Sequence, residues 1–235
     1  MPVEPRNWAV IPAAGFGTRM NSDLPKQYLT INGKTILEHT LGVFCTHSDI
    51  HGVVVAISKT DSIWPTLSVA THPKIMVTNG GQERCHSVMN CLQYLSTVAK
   101  EDDWVLVHDA ARPCIAGGDV SHLIKMVGNH AVGGLLALPV RDTMKRSNQN
   151  NEVQETIDRN GLWHALTPQM FRLGNLTRAL KAALDSGILV TDDAQALELQ
   201  NQSPLLVEGK SSNIKITRKD DLAIAELYLD RGSNK

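Results

Sequence analysis

Basic excess is the first thing missing from this chain of 235 residues, in which 23 lysines and arginines face 24 acids for a formal charge of -1 at pH 7. Binding along a nucleic-acid backbone draws its affinity from neutralised phosphates and released counterions. A nucleic-acid partner is therefore excluded, and any bound nucleotide is expected to be a small one. Long apolar runs are missing too. None approaches the roughly 20 residues that span a bilayer, and the opening MPVEPRNWAV lacks the basic stretch and apolar core of a secretory signal. A soluble cytoplasmic protein with no membrane partner is expected. The four cysteines, Cys45, Cys85, Cys91 and Cys114, show no CxxC spacing, so they read as buried thiols in a reducing compartment. Internal repeats are absent, and with a helix expected after Thr217 no further domain is expected. The length predicts one α/β domain over residues 1–235.

What is present is a regular alternation. Short β-rich runs (WAVIPA, VVVAIS, KIMVT, WVLVHD, GGLLALPV) are separated by segments of helical period, which predicts a mostly parallel sheet covered by helices. Leu37, Leu41, Phe44 and Cys45 fall on one helical face, and Val88, Cys91, Leu92, Leu95 and Ala99 repeat the pattern. TRKD, Thr217 to Asp220, has the form of a capping box ahead of a final helix. One polar stretch, SNQNNEVQE, lies between PVRDTMKR and TIDRNGLWHALTPQ. Its flanks are crowded with Arg141, Asp142, Lys145, Arg146, Asp158 and Arg159 and look able to pair, so it reads either as a solvated hairpin tip or as the end of a projecting β-arm.

The run VIPAAGFGTRM, Val10 to Met20, takes an apolar strand directly into a loop of small residues. A dinucleotide fingerprint is excluded: Met20 stands where the third glycine belongs, Pro25 interrupts the crossover helix, and Glu38 lies inside a helical pattern and not at a strand end. A Walker loop is excluded because GK[ST] is absent. There remains a small-residue loop at the carboxyl end of the first strand, where open α/β sheets bind ligands. Its amides can approach phosphates closely, and Arg19 and Lys26 supply positive charge. A second strand, WVLVHDAARP, ends in Asp109 and, three residues on, Arg112. A strand-end carboxylate can hold Mg²⁺, orient a nucleophile or cap the next helix, and an arginine can take a phosphate in its fork. His108 reads as packed and hydrogen-bonded, with no chemical role.

Taken together, PAAGFGTRM, LPKQYL, ILEHT, GGQERCHSV, VLVHDAARP, PVRDTMKR, DRNGLWHALTPQ, TDDAQALE and NIKIT, in this order, resemble the 2-C-methyl-D-erythritol 4-phosphate cytidylyltransferase family over nearly the whole length. The resemblance implies a Rossmann-like nucleotidyltransferase fold, Mg²⁺, and a homodimer joined by a protruding arm at about residues 140–159. The activity it implies is transfer of CMP from CTP to methylerythritol 4-phosphate with release of pyrophosphate. A related polyol phosphate such as ribitol 5-phosphate, or a nucleotide-binding regulator without catalysis, are the alternatives.

Carried over by residue, the resemblance puts Pro12, Ala13, Ala14, Gly15 and Gly17 against the nucleotide, with Arg19 and Lys26 on its phosphates. It assigns cytosine and ribose contacts to Gly81, Gln82, Arg84 and Ser87. Many relatives have an acid where this chain has Gln82, so a backbone contact survives the departure and a side-chain contact is left open. Asp109, Ala110 and Arg112 would sit between nucleotide and substrate, and Lys215 and Thr217 at the substrate phosphate. Thr167 and Thr191 join the substrate set, and Thr143 and Arg159 would reach it from a neighbouring subunit. Such a reaction also explains why no nucleophile and base pair is found. A phosphomonoester, with a second pKa of about 6, is already mostly dianionic near neutrality, so Arg19, Lys26, Lys215 and a metal would act by neutralising and aligning charge.

Overall fold

Ala9 and Ile11 point to one side of the first strand, β1 (Asn7–Pro12), and Trp8 and Val10 to the other, and all four are buried. Two-sided burial of that kind needs cover on both faces of a sheet, and the computed structural model, which describes residues 4–15 and 24–233, supplies it. On one face, Ala9 and Ile11 pack with Leu37, Leu41 and Phe44 of α1 (Ile36–Thr46) and with Val120 and Leu123 of α3 (Gly117–Val127). On the other, Trp8 and Val10 pack with Val88 and Leu92 of α2 (Arg84–Leu95) and with Leu176 and Leu180 of α4 (Leu173–Asp185).

The remaining strands are β2 (Thr30–Ile31), β3 (Lys34–Thr35), β4 (Ile50–Ile57), β5 (Ile75–Asn79), β6 (Trp104–Val107), β7 (Gly133–Pro139), β8 (Met144–Ser147), β9 (Val153–Ile157), β10 (Trp163–Arg172) and β11 (Leu205–Glu208). Among the described residues seven of them form one sheet, in the order β11-β7-β10-β6-β1-β4-β5. β1 pairs in parallel with β4 on one side and β6 on the other. The chain thus winds away from β1 in both directions, which opens a crevice at the carboxyl ends of these strands. The sheet is α/β and mostly parallel, as expected. β10, running antiparallel between β6 and β7, is the one reversal.

Two details differ from the sequence reading. Ala99 lies beyond the end of α2, and only the earlier part of that apolar stripe is helical. The final helix, α6 (Asp220–Ser233), is closed not by Asp220 but by Asp221, whose Oδ2 accepts from the Thr217 and Arg218 amides and from the Thr217 hydroxyl. The polar stretch is a hairpin: β8 and β9 pair with Met144 opposite Ile157, and Arg146 meets Glu155 across it.

Candidate active site

The crevice beside β1 is a cleft of about 670 Å³. β1 delivers Pro12, Ala13, Ala14 and Gly15 to its wall, the loop after β4 delivers Ser58 and Lys59, and the loop after β5 delivers Gly80, Gly81, Gln82 and Glu83. Arg84 and Ser87 come from the first turns of α2, Asp109, Ala110 and Ala111 from the end of β6, and Lys26, Gln27 and Lys215 complete the lining. Four cations, Lys26, Lys59, Arg84 and Lys215, thus face two acids, Glu83 and Asp109. A concave wall with that balance favours an anion.

Close backbone approach builds this wall. A Cβ on Gly80 would lie 2.0 Å from the Ala14 Cβ, so only glycine lets the β5 and β1 loops meet. Ser87 accepts the Gly81 amide at 3.0 Å, which fixes the second glycine of the pair. Gln27 donates to the Ala13 carbonyl at 2.8 Å and thereby holds the Lys26–Tyr28 turn against the end of β1, while Lys26 Nζ reaches the Ile216 carbonyl at 3.4 Å.

Asp109 is the electrostatic centre. Its Oδ1 accepts from Arg84 Nε at 3.1 Å, and its Oδ2 from Lys215 Nζ at 2.9 Å and Arg112 Nε at 3.3 Å. Burial alone would favour the neutral acid, but Arg84, Lys215 and Arg112 outweigh it and hold the carboxyl far below the usual carboxylate range. The capping alternative for Asp109 is corrected, because the next helix starts at Gly117. Behind it, the Thr167 hydroxyl accepts the Asp109 amide at 3.1 Å and lies 3.0 Å from His108 Nδ1. His108 Nε2 lies 3.2 Å from the Arg112 carbonyl, so the network assigns the ring proton to Nε2 and the acceptor to Nδ1. Asn213 donates to the Thr167 carbonyl at 2.7 Å and accepts Arg112 Nη1 on its own carbonyl at 2.8 Å, which sets the course of the segment carrying Lys215.

The fold therefore gathers Pro12, Ala13, Ala14, Gly15, Lys26, Gly81, Gln82, Arg84, Ser87, Asp109, Ala110 and Lys215 around one cleft. Gly17 and Arg19 lie outside the described residues. Arg112 and Thr167 stand behind the wall: Arg112 is buried, with its fork on Asp109 and Asn213 and not open to a ligand. Thr217 is tied to Asp221. Thr191 is exposed, its amide on Gln195. Thr143 and Arg159 are exposed on the hairpin's base, where Arg159 donates to the Arg141 carbonyl. Sequence reasoning missed Gln27, Ser58, Lys59, Gly80 and Glu83. Ser58 and Lys59 were open to the strand-end rule already applied to Asp109. It also missed Asp193, which carries no local signal.

The matched model of the family described as IspD, 2-C-methyl-D-erythritol 4-phosphate cytidylyltransferase, covers residues 8–231. The chain belongs to the IspD family. A Vibrio vulnificus 2-C-methyl-D-erythritol 4-phosphate cytidylyltransferase is 53% identical over 227 residues, covering 97% of this chain and 96% of that one. Among solved structures, a 4-diphosphocytidyl-2C-methyl-D-erythritol synthase superposes with a TM-score of 0.85 at 41% identity, over 97% of this chain and 100% of that one. The Francisella tularensis IspD does so with a TM-score of 0.83 at 39% identity, over 95% and 99%. The IspD fold of this chain thus has its cationic cleft at the carboxyl edge of a sheet common to these structures.

Proposed function

We propose that this IspD chain transfers CMP from CTP to the phosphate of 2-C-methyl-D-erythritol 4-phosphate, in the non-mevalonate isoprenoid pathway. The observation that carries the reading is the meeting of Asp109 with Arg84 and Lys215 in the wall of a cationic cleft, in a chain of this family. A substrate phosphate oxygen attacks the α-phosphorus of CTP, the bond from that phosphorus to its bridging oxygen breaks, and pyrophosphate leaves with the electron pair. The dianionic nucleophile needs no base. What is left to the protein is to bring one anion onto another, and Arg19, Lys26 and Lys215 do so by neutralising charge along the line of attack.

The small residues Pro12, Ala13, Ala14, Gly15 and Gly17 admit the nucleotide to backbone contact, and Gly81, Gln82, Arg84 and Ser87 frame its base and ribose. Among the described residues no cluster of three or more His, Cys, Asp or Glu could hold a metal unaided. Mg²⁺ favours one or two carboxylates with phosphate oxygens and retained waters, and Asp109 offers a carboxylate on the wall that the ion would take in place of one of the cations paired with it. Asp109 would hold it, and when bound it would neutralise triphosphate charge. Arg112 and Thr167 act on the substrate from behind the wall, by holding Asp109 in place, with Thr191 and Thr217 near the polyol phosphate. Thr143 and Arg159 reach the same substrate from a second subunit through the hairpin, in a homodimer that works in the cytoplasm.

Pyrophosphate release, assayed with a panel of nucleotides and polyol phosphates, tests the reading. CTP with methylerythritol phosphate should be preferred over ribitol 5-phosphate and over ATP, GTP and UTP, since a mismatched base edge leaves buried polar groups unpaired. Equal turnover across the panel would overturn it.

A further inference from the structure

Asp193, the first residue of α5 (Asp193–Glu198), is fully buried and does not line the cleft, yet its Oδ2 accepts from Arg84 Nη2 at 2.7 Å. It is placed by a rigid support. Gln169 of β10 accepts the Ala194 amide at 2.8 Å and donates to Asp192 Oδ2 at 2.9 Å, while Asp192 Oδ1 accepts the Gln195 amide at 3.0 Å. Arg84 consequently spans two acids, with Nη2 on Asp193 and Nε on Asp109. Arg84 Nη1 and Asp193 Oδ1 are left buried with no hydrogen-bond partner among the described residues.

Stability is a poor account of that arrangement. Replacing a buried ion pair with packed apolar side chains is often neutral or stabilising, and an unsatisfied buried atom on each partner is a further cost. The guanidinium is a planar fork with donors in fixed relation. Anchoring Nη2 therefore decides where Nε points, and turning the plane to satisfy Nη1 would lose Asp109.

We infer that Asp193 is a positioning residue for the reaction: acting through Arg84, it locks the guanidinium plane so that Nε keeps the Asp109 carboxylate aligned toward Lys215 and the cleft. This rests on the functional reading above and names a residue that does not line the cleft. Asp193→Asn keeps the shape and an acceptor oxygen but removes the charge that anchors the fork.

The test compares the parent, Asp193→Asn, Arg84→Gln and the double variant, by turnover of CTP with methylerythritol phosphate, CTP affinity by calorimetry, and melting temperature. Removing such an outer partner should lower kcat by at least about tenfold, while CTP affinity, which reports Arg84's own place beside base and ribose, falls by a smaller factor than kcat, the signature of an interaction that matters in the chemical step. In the Arg84→Gln background, Asp193→Asn should add less than about twofold, because residues acting through one another are not additive. A kcat unchanged in Asp193→Asn, or losses that multiply in the double variant, would overturn the inference. Should Asp193→Asn fail to fold, Arg84→Lys carries the test, since it keeps a cation between the acids but loses the fork. Its kcat should fall by at least about tenfold as well, and a parental kcat would overturn the inference. A parent that releases no pyrophosphate would instead sink the functional reading itself.

Discussion

In the proposed reaction Asp109, Lys26 and Lys215 would work through charge, so their removal should be felt where charge builds up. Lys26→Ala and Lys215→Ala are each expected to slow the single-turnover rate by about 10²–10³, as loss of one transition-state donor does, and to weaken CTP binding far less. Rapid-quench rates equal to the parent's would remove both from the reaction. The thiols should contribute nothing. Burial pushes Cys114 up to about 11 and raises Cys85 as well, so hardly any thiolate exists near neutrality. Cys85→Ala and Cys114→Ala should keep kcat within about twofold of the parent, since the proposed reaction uses no sulfur.

His108 gives a pH signature. Burial pushes its pKa down to about 4, whereas an unfolded imidazole titrates near about 6.5. Between those two values the unfolded chain binds the extra proton, so the stability contributed by the neutral ring is complete above about 6.5, is lost as pH falls toward about 4, and changes no further below that. The full loss is on the order of 3 kcal/mol. Melting temperature followed from pH 7.5 to about 4.5 should fall more steeply in the parent than in His108→Asn. Parallel curves would show that the ring is not the group responsible.

The loop after β5 meets the loop after β1 only because Gly80 has no side chain. Gly80→Ala places a Cβ 2.0 Å from that of Ala14, which must drive the two loops apart. Overpacking of this kind costs about 1–3 kcal/mol. If the strain is relieved by opening the nucleotide wall, CTP affinity should drop about tenfold, the equivalent of about 1.4 kcal/mol. Calorimetry showing a parental Kd would mean that the close approach belongs to packing and not to the site. The same logic explains α1, where the Thr35 hydroxyl accepts the Glu38 amide and Glu38 returns to the Thr35 amide. That helix needs no contact with a ligand to start where it does.

The hairpin of β8 and β9 is a two-stranded sheet of its own, with Val153 66% exposed near its tip. Isolated hairpins are marginal in water, so the proposed second subunit would give the arm its physical support. Two arms related by a two-fold axis would clasp each other and carry Thr143 and Arg159 into the opposite cleft. Arg159→Ala and Asp109→Ala proteins, each nearly inactive, should then complement one another when their subunits exchange. One site of a mixed dimer would hold both lesions and the other neither, so activity should return to about half the parental value. Sedimentation as a monomer, or silence despite proven exchange, would return Thr143 and Arg159 to the surface.

Periodicity made the strands and the apolar faces of α1 and α2 readable, because side-chain alternation and helical repeat are properties of short segments. The strand-end positions of Pro12 to Gly15 and of Asp109 followed from the same local pattern, and the ordered motifs carried the family. The antiparallel insertion of β10 did not follow, since a strand's neighbours are chosen by packing across the whole sheet. Nor did the commitment of Arg112 to Asn213, 101 residues away, or the anchoring of Arg84 by Asp193, 109 residues away. At the start of a short helix, Asp193 reads as one more polar residue. Its meaning arises only when folding removes water from around it and leaves an arginine as the partner that can compensate its charge.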